Sequence, residues 1–483
     1  MKILFILKSE NFLAPIGLCA IAAIAAREGH EVFLGEMNSS DPFSQIARLK
    51  PEVIAYSSST GESKHYLGLN RKIKEKYPGI FTIMGGPHPT FYPEVIQEGG
   101  LDALCIGEGE GAFVDLLGAL SAKSPLSNIP NIVTKADPGQ FLVRNLIEDL
   151  DALPFPDYAL IYDNTPSGDY PLKSFITSRG CPYDCTYCFN HAWRKIYQGK
   201  GKPVRRHSVD YVIDEIKYVR NKWPLSFVKF YDDIFTYGVD DWLEEFCRKY
   251  KAQIGLPFFI LTRADLLTAD AVRLLKEAGC HTISMSIESG NAQIRKNLLR
   301  RQMSDEEIIK AYHLCRQSGI YTFANCIIGL PGTSIHNDIE SLDLAIRAKA
   351  TWVEFPIFYP YPGIELTREA VKAGFYQPDY EKMHTSYMHR SLLSCFNKQE
   401  KNMQVNLSEL SSVAVVYPGL RNLVVRCLIY WPNNIFFTFL YYLVKMRILR
   451  KKIYVTKTTP LNSLRIFIKS LKQEFFGRQN RKG

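Results

Sequence analysis

Apolar runs alternate with helical patterns through the first part of the chain, residues 1–140. Each run is short enough to be a buried strand, and a segment with a helical pattern follows it. This alternation predicts an α/β domain with a Rossmann-like, doubly wound parallel sheet. The predicted strands cover residues 3–7, 31–35, 53–57, 81–84 and 103–106.

The strand-and-helix pattern returns over residues 171–375 and predicts a partial (β/α)6 barrel of the TIM type. A linker, residues 141–170, joins the two regions, and in it Pro154 and Pro156 exclude a helix or a sheet interior. Catalytic groups of such barrels lie in the loops that follow the strands. The predicted barrel strands include residues 174–178, 227–231, 258–262 and 323–328.

The remaining region, residues 376–483, is predicted to be mainly helical and carries the positive charge. The net charge of the chain is +10, and residues 401–483 contain 15 Lys and Arg against 2 Glu. Residues 427–444 are uncharged and rich in aromatic side chains, but Pro432 interrupts them, so a single membrane span is not predicted.

Two interpretations of this region stay open. An apolar segment followed by a basic cluster favours an interfacial anchor on anionic lipid. The same aromatic residues would also suit a helical subdomain that caps the mouth of the barrel. Nucleic acid binding is not expected, because the basic residues alternate with aliphatic stretches.

The cysteine content points to a reducing compartment. The chain has 11 Cys, an odd number, and its first apolar run is too short for a signal peptide and is broken by Lys8. We therefore expect a cytoplasmic protein, with the C-terminal region at the inner face of the membrane if it acts as an anchor.

Three cysteines form the most informative motif, because Cys181, Cys185 and Cys188 are spaced C-x-x-x-C-x-x-C. Three thiolates can hold three corners of a [4Fe–4S] cluster and leave one iron open to a ligand. The other eight cysteines form no C-x-x-C pair, so a second cluster is not predicted. A zinc site with His191 as fourth ligand, or a disulfide, are the alternatives.

This loop resembles that of the radical S-adenosylmethionine (SAM) enzymes. The resemblance implies that SAM binds the open iron and is cleaved reductively to a 5′-deoxyadenosyl radical. Further motifs match the family in order, although Ser286 replaces the Gly of the G-I-E-S motif and Ile364 replaces the Thr of a later turn. The SAM contacts that the resemblance implies are Tyr187, packed on the adenine, with Asp232, Asp233, Arg263, Glu288, Ser289 and Gly329.

An aspartate in the Asp232-Asp233 pair can also be a helix N-cap, and that interpretation stays open for each.

The loops after the first-domain strands are rich in small residues and resemble the cobalamin-binding domain of B12-dependent radical SAM enzymes. The implied cobalamin contacts are Ser58, Thr60, Gly85, Gly86, Gly107 and Glu108. The D-x-H-x-x-G signature that supplies a cobalt ligand in many B12 proteins is absent. Cobalamin binding without a protein imidazole and a degenerate domain without a corrin both stay open. His30 and His88 are expected to be structural.

The resemblance implies methylation of an unactivated carbon, in a lipid or secondary-metabolite substrate. One SAM would recharge cobalamin with a methyl group, and a second would provide the radical that removes hydrogen from the substrate. A non-methylating oxidative cyclase or carbon-skeleton enzyme, or a noncatalytic corrin or iron–sulfur sensor, are the alternatives. The expected electron donor is a flavodoxin or ferredoxin, and no general base is identified.

Overall fold

The computed structural model describes residues 1–8, 14–38, 41–136, 141–384 and 390–456. The first domain contains strands β1 Lys2–Leu7, β2 Glu31–Glu36, β3 Val53–Ser57, β4 Phe81–Gly85, β5 Ala103–Cys105 and β6 Ile132–Thr134. Its helices are α1 Ile16–Arg27, α2 Pro42–Leu49, α3 Ser63–Lys76, α4 Pro87–Phe91 and α5 Glu110–Ser121.

The strand order of the first sheet is β2-β1-β3-β4-β5-β6, and only β6 is antiparallel to its neighbour. Alternate residues of each strand face opposite sides. Ile3 and Phe5 pack against α1 and α5 on one face, whereas Leu4 and Ile6 pack against α2 and α3 on the other. The predicted doubly wound sheet is therefore confirmed. The order in which the strands are added reverses between β1 and β3, and open parallel sheets bind ligands at such a point.

The linker contains one short α-helix, α6 Ala159–Tyr162, and two short 3₁₀ helices, Leu150–Ala152 and Pro166–Asp169. It contacts both domains. The N–H of Asp157 donates to the carbonyl of Cys19 in α1 over 2.9 Å. The hydroxyl of Tyr158 donates to the carboxyl group of Glu215 over 3.0 Å. The linker is thus packed between the two domains.

The second domain is a partial barrel of six parallel strands in the order β14-β13-β12-β11-β10-β7, as predicted. Its strands are β7 Leu172–Phe175, β10 Phe227–Phe230, β11 Phe258–Thr262, β12 Cys280–Met285, β13 Tyr321–Asn325 and β14 Trp352–Glu354, with a separate antiparallel pair β8 Ser178–Arg179 and β9 Arg205–Arg206. Its helices are α7 Phe189–Ile196, α8 Val209–Lys222, α9 Asp241–Gln253, α10 Ala269–Ala278, α11 Asp305–Gln317, α12 Ile335–Arg347 and α13 Glu365–Lys372.

The predicted strand at residues 174–178 is divided in the structure. β7 ends at Phe175, and Ser178 begins the short strand β8. The division has a physical cause: the N–H of Thr177 donates to the carboxylate of Asp232 and not to a neighbouring strand.

As far as residue 456, the C-terminal region forms three α-helices, α14 Lys398–Val416, α15 Arg421–Arg426 and α16 Ile435–Ile448. It also contains short 3₁₀ helices, and α16 continues into a π-helical turn, Leu449–Ile453. The part of the predicted region at residues 457–483 lies outside the described residues. Tyr441, Ile448 and Ile453 pack against Leu172 and Trp352, the first residues of the two edge strands β7 and β14.

The region is helical, as predicted, but the interpretation that its aromatic residues cap the barrel mouth is wrong for residues 441–454. These residues close the opposite end, where the strands begin, because their buried side chains meet the apolar first residues of those strands. An earlier stretch does lie beside the mouth, where Leu393 and Phe396 pack with Leu330. The carbonyls of Lys452 and Ile453 also accept hydrogen bonds from His281 and Thr282 in β12. We call this segment, residues 441–454, the barrel floor. No helix in the described part of the chain is long and apolar enough to cross a bilayer.

Candidate functional site

A cavity of about 430 Å³ lies between the C-terminal edge of the first sheet and the mouth of the barrel. Gly85 and Gly107 line it from the first domain, and Gly180, Tyr231 and Asp233 line it from the second. It continues between the first sheet and helices α1 and α5, where its walls are Phe5, Leu18, Ala55, Ile83 and Phe113. The cavity therefore joins the two edges at which both sheet types place ligands.

The six residues predicted to contact cobalamin divide into two groups. Gly85, Gly86, Gly107 and Glu108 line the cavity. Ser58 and Thr60 are buried behind it. Thr60 lies 3.3 Å from Nδ1 of His88, and burial lowers the pKa of this imidazole to about 4. His88 is thus a neutral residue that ties two loops of the edge together.

Gly86 is required at its position by backbone geometry. Its φ is 96°, in the left-handed region. A Cβ there would lie 2.8 Å from the backbone nitrogen of Ser58, closer than such atoms approach. Only glycine lets these two loops touch where they border the cavity.

The carboxylate of Glu108 faces the barrel domain. It accepts hydrogen bonds from both terminal nitrogens of Arg205, at 2.5 and 3.1 Å. Glu110 accepts from Arg179 over 2.7 Å, and the N–H of Glu108 donates to the hydroxyl of Tyr197 over 2.8 Å. This set of contacts joins the two domains beside the cavity, so the side chain of Glu108 has a structural role whichever ligand is bound.

The cysteine loop is held to the barrel through its backbone. The hydroxyl of Thr186 donates to the carbonyl of Leu298 over 2.5 Å, and the N–H of Leu366 donates to the carbonyl of Thr186 over 2.9 Å. Arg194 donates to the carbonyl of Pro182 and to the carboxylate of Asp184. These bonds fix the loop without using the thiols.

The three thiols are free of disulfides. Within the described ranges, no three His, Cys, Asp or Glu side chains converge closely enough to hold one metal ion. A cubic cluster does not need that arrangement, because each thiolate binds a different iron. His191 is not available as a fourth zinc ligand, since its ring nitrogens lie 3.0 Å from Asp184 and 3.0 Å from Glu365.

The two aspartates after β10 have different environments. Asp232 is buried, and one carboxylate oxygen accepts hydrogen bonds from Thr177 and Ser178, while its other oxygen has no partner. Burial raises the pKa of Asp232 to about 6. Asp233 lines the cavity beside Asn190, and burial raises its pKa as well. Asp233 is therefore the better placed of the two for a ligand in the cavity.

Tyr187 and Glu288 meet at a buried arginine. The hydroxyl of Tyr187 donates to Glu288 over 3.1 Å and accepts from Arg301 over 3.2 Å. Glu288 adopts a φ of 67°, a conformation that non-glycine residues rarely take. Burial raises the pKa of Glu288, and the Arg301 guanidinium opposes that change. The predicted Glu288 thus lies directly behind the cysteine loop.

Arg263 extends over the cysteine loop. Its guanidinium lies 3.7 Å from the centre of the Tyr183 ring and pairs with Asp265 over 2.8 Å. One terminal nitrogen of this buried side chain has no hydrogen-bond partner. An unpaired donor beside the loop fits an anionic ligand group such as a carboxylate.

Ser289 and Gly329 lie on the barrel side of this group. The hydroxyl of Ser289 accepts from the N–H of Asn291 over 3.2 Å. Gly329 adopts a φ of 66°, and its N–H donates to Asp338 over 3.0 Å. Burial raises the pKa of Asp338 to about 7. Both residues shape the backbone of the loops that surround the cysteines.

One row of cavity residues was not predicted. His207, just before α8, and Tyr211 and Glu215, within its first two turns, are spaced four residues apart and all line the cavity. Burial lowers the pKa of His207 and raises that of Glu215 to about 8. Glu215 is therefore uncharged at neutral pH, and Nδ1 of His207 lies 2.9 Å from the carboxylate of Asp151. The four-residue spacing is visible in the sequence, but nothing in the sequence indicates which way that face points.

These side chains fit the predicted cofactors. Three free thiols on one anchored loop suit a [4Fe–4S] cluster. The unpaired nitrogen of Arg263 and the carboxylate of Asp233 suit the carboxylate and ammonium groups of SAM. The glycine edge and the apolar extension of the cavity suit a large, mostly uncharged ring system.

Two family models match this chain. The model of the radical SAM superfamily matches residues 175–345, and that of the B12 binding domain matches residues 3–117. Together they cover both sides of the cavity.

The chain is also similar to named proteins. It is 28% identical over 370 residues to an uncharacterized methyltransferase, PH0819, of Pyrococcus horikoshii, covering 74% of this chain and 78% of that protein. It is 25% identical over 442 residues to the cytidylyl-2-hydroxyethylphosphonate methyltransferase of Streptomyces wedmorensis, covering 77% and 80%. The structure of the cobalamin-dependent S-adenosylmethionine radical enzyme OxsB, with aqua-cobalamin and S-adenosylmethionine bound, superposes with a TM-score of 0.68 at 16% identity, covering 99% of this chain and 80% of OxsB. That likeness shows the fold.

Proposed function

This chain belongs to the radical SAM enzymes that carry an N-terminal B12-binding domain, and we propose that it methylates an unactivated carbon of a small substrate. One observation carries the proposal. The glycine edge of the first domain and Asp233, beside the cysteine loop of the second, line the same cavity. A substrate between them would face both cofactors.

The cofactors are a [4Fe–4S] cluster, SAM and cobalamin. When bound, the cluster provides the electron that cleaves SAM to a 5′-deoxyadenosyl radical, and cobalamin carries the methyl group to the substrate. We assign Cys181, Cys185 and Cys188 to the cluster.

The other assignments follow from the contacts of each side chain. Asp233 would accept hydrogen bonds from the ammonium of SAM, and the free nitrogen of Arg263 would donate to the carboxylate of SAM. Tyr187, held by Glu288 and Arg301, would pack on the adenine. Asp232 has a structural role instead, because it accepts hydrogen bonds from Thr177 and Ser178 and so fixes the start of the segment that lines the cavity.

The substrate class is a lipid or a secondary metabolite. The barrel side of the cavity is largely apolar, with the side chains of Phe189, Trp193 and Tyr231 in its wall. Removal of a hydrogen atom by a radical needs no general base, and none is assigned. The electron donor is a cytoplasmic flavodoxin or ferredoxin. Contact of the C-terminal region with a membrane concerns a different surface and does not depend on this reaction.

The test is made on anaerobically reconstituted protein with hydroxocobalamin, a strong reductant and SAM. We expect both 5′-deoxyadenosine and S-adenosylhomocysteine by mass spectrometry. Deoxyadenosine alone would contradict methylation and favour an oxidative cyclase or carbon-skeleton reaction. If neither product formed in the presence of cluster, corrin and candidate substrates, a noncatalytic sensor would be favoured.

A matched pair of cysteine variants checks the cluster assignment. Cys185→Ala is expected to abolish the iron–sulfur absorption at about 400 nm and the cleavage of SAM, because two thiolates do not hold a stable cubane. Cys427→Ala, at an exposed cysteine outside the loop, is expected to change neither. Retention of the absorption band by Cys185→Ala would remove the assignment.

A further inference from the structure

The C-terminal helices expose an unusual amount of apolar surface. Of the fifteen large hydrophobic side chains that are exposed in the described residues, nine lie between Tyr417 and Leu443. Six of them form what we call the apolar patch: Tyr430, Trp431, Ile435, Phe436, Phe439 and Leu443. Phe436 is the most exposed of them, at 64%. Scattered exposed apolar residues are ordinary, but a contiguous group indicates a binding surface.

The patch is separate from the hydrophobic core, because it lies on the face of α16 that points away from the barrel. Phe436, Phe439 and Leu443 share one face of α16, because they are three and four residues apart. The opposite face of the same helix, with Phe437, Tyr441 and Ile448, is buried against the barrel. A surface helix usually places polar residues on its outer face, whereas the outer face of α16 is apolar as far as Leu443.

The charge around the patch has one sign. Residues 417–456 contain seven Lys and Arg and no Asp or Glu. Arg421 pairs with Asp343, and Lys445 pairs with Glu354. The other five make no ion pair within the described part of the chain: Arg426, Arg447, Arg450, Lys451 and Lys452. All five are exposed.

Apolar and basic residues are ordered along the helix axis. Arg447 and Arg450 continue the face of Leu443, one and two turns further on. At a rise of about 1.5 Å per residue, Phe436 and Arg447 are about 16 Å apart along the axis. An inclined helix could thus place its aromatic end among acyl chains and keep its cations at the level of lipid phosphates.

We infer that the apolar patch docks on the surface of an anionic lipid bilayer. Apolar side chains alone would suit several partners. The unpaired cations and the absence of acidic residues favour an anionic bilayer, which has apolar acyl chains beneath negatively charged headgroups. The inference does not depend on the proposed reaction. Because the inner face of α16 forms part of the barrel floor, docking would hold the whole barrel at the bilayer and not a loose tail.

The test uses full-length protein and two vesicle types, phosphatidylcholine alone and phosphatidylcholine with about a third phosphatidylglycerol. We expect flotation with the anionic vesicles only, and release as salt is raised. Arg447→Gln, Arg450→Gln and Lys451→Gln together should weaken binding on the order of a hundredfold at low salt. Deleting the region would test nothing cleanly, since it also supplies the barrel floor.

Substitutions on the apolar side complete the test. The variant Phe436→Gln with Phe439→Gln is expected to weaken binding at least about tenfold. Its matched control is Leu142→Gln with Val371→Gln, two exposed apolar residues elsewhere on the chain, which should bind like the wild type. Thermal melting checks that all variants fold.

Fluorescence adds a direct readout. Trp431 is the one exposed Trp of the five in the chain, so brominated lipid in the anionic vesicles should quench its emission, and Trp431→Phe should remove that quenching. Failure of the wild type to float would overturn the inference. Unchanged binding by the variant Phe436→Gln with Phe439→Gln would overturn it as well. A dimer in solution that these two substitutions dissociate would also overturn it, because it would assign the patch to a second copy of the chain.

Discussion

Glu215 is a carboxyl group that the fold keeps protonated at neutral pH. It is 3% exposed, its hydrogen-bond partner is the hydroxyl of Tyr158, and burial raises its pKa to about 8. A neutral carboxyl group can donate a hydrogen bond as well as accept one. It therefore matches the uncharged amide side chains at the rim of a corrin.

A change at this residue should leave cobalamin binding intact if the group is neutral. Glu215→Gln is expected to bind hydroxocobalamin as the wild type does at pH 7, in a titration followed by absorption. Between pH 7 and 9 the wild-type affinity should fall as the carboxyl ionises, and that of the Gln variant should not. Equal pH profiles would show that Glu215 does not face the corrin.

The same shift predicts a pH dependence of stability. The folded state binds one more proton than the unfolded state between pH 4.5, the ordinary value for Glu, and about 8. The contribution of Glu215 to the free energy of unfolding therefore falls as pH rises through this window, by on the order of 1 kcal/mol per pH unit. Urea unfolding of the Gln variant should lack that part of the slope.

Gly86 offers a second test at single-residue scale. Gly86→Ala would bring a Cβ into the backbone of Ser58 at a φ of 96°, and we expect a loss of about 2 kcal/mol of stability and weaker cobalamin binding. The matched control is Gly79→Ala, where nothing lies within 4 Å of the added atom. It should change stability by less than about 1 kcal/mol. Similar effects of both would contradict the packing argument.

At the scale of elements, the short β8–β9 pair locks the domains together. Arg205, in β9, is almost fully buried and forms its ion pair with Glu108, in the loop after β5. Removing one partner of such a pair leaves a buried charge without compensation. The geometry of the cavity therefore depends on contacts that neither domain makes alone.

Arg205→Met is expected to lower stability by about 3 kcal/mol, measured by chemical denaturation. The double variant Arg205→Met with Glu108→Leu should recover part of that loss, because no unpaired carboxylate stays behind. Arg273→Met removes an exposed pair with Glu277 and should cost less than about 1 kcal/mol. A single-variant loss no larger than that of Arg273→Met would show that the pair does not hold the domains.

Elements differ in how well their sequence predicts them. The strands of both sheets follow from short apolar runs, and the spacing of Cys181, Cys185 and Cys188 suffices to predict the cluster loop. The break after Phe175 does not follow, because it depends on Asp232, a residue far along the chain. The role of Glu108 is hidden for the same reason: its partner is 97 residues away. Local patterns do not encode such pairings.

At the scale of the whole molecule, the barrel floor is part of the core although its sequence resembles an anchor. Ile453→Ala, at a fully buried position, is expected to cost about 2–4 kcal/mol. Leu443→Ala, on the exposed face of α16, should stay within about 0.5 kcal/mol of the wild type. Equal thermal stability of the two variants would mean that the floor does not support the barrel.

Both interpretations of the tail started from the same aromatic residues, and only packing separates them. Tyr441 and Ile448 lie on the buried face, while Phe436 and Phe439 lie on the exposed one. Their hydrophobicity is the same, so the sequence predicts an apolar helix but not which face meets protein. The sequence also does not indicate which end of the barrel residues 441–454 contact.

The barrel floor also has a consequence for synthesis on the ribosome. Thr282 of β12 waits for Ile453, 171 residues later, before the hydrogen bond between them can form. At about 5–20 residues per second, the nascent barrel spends on the order of ten seconds or more with the apolar starts of its strands uncovered. The strands of the first domain make none of these contacts, so that domain can fold early, while the barrel cannot cover the starts of its strands until residues 441–454 have emerged.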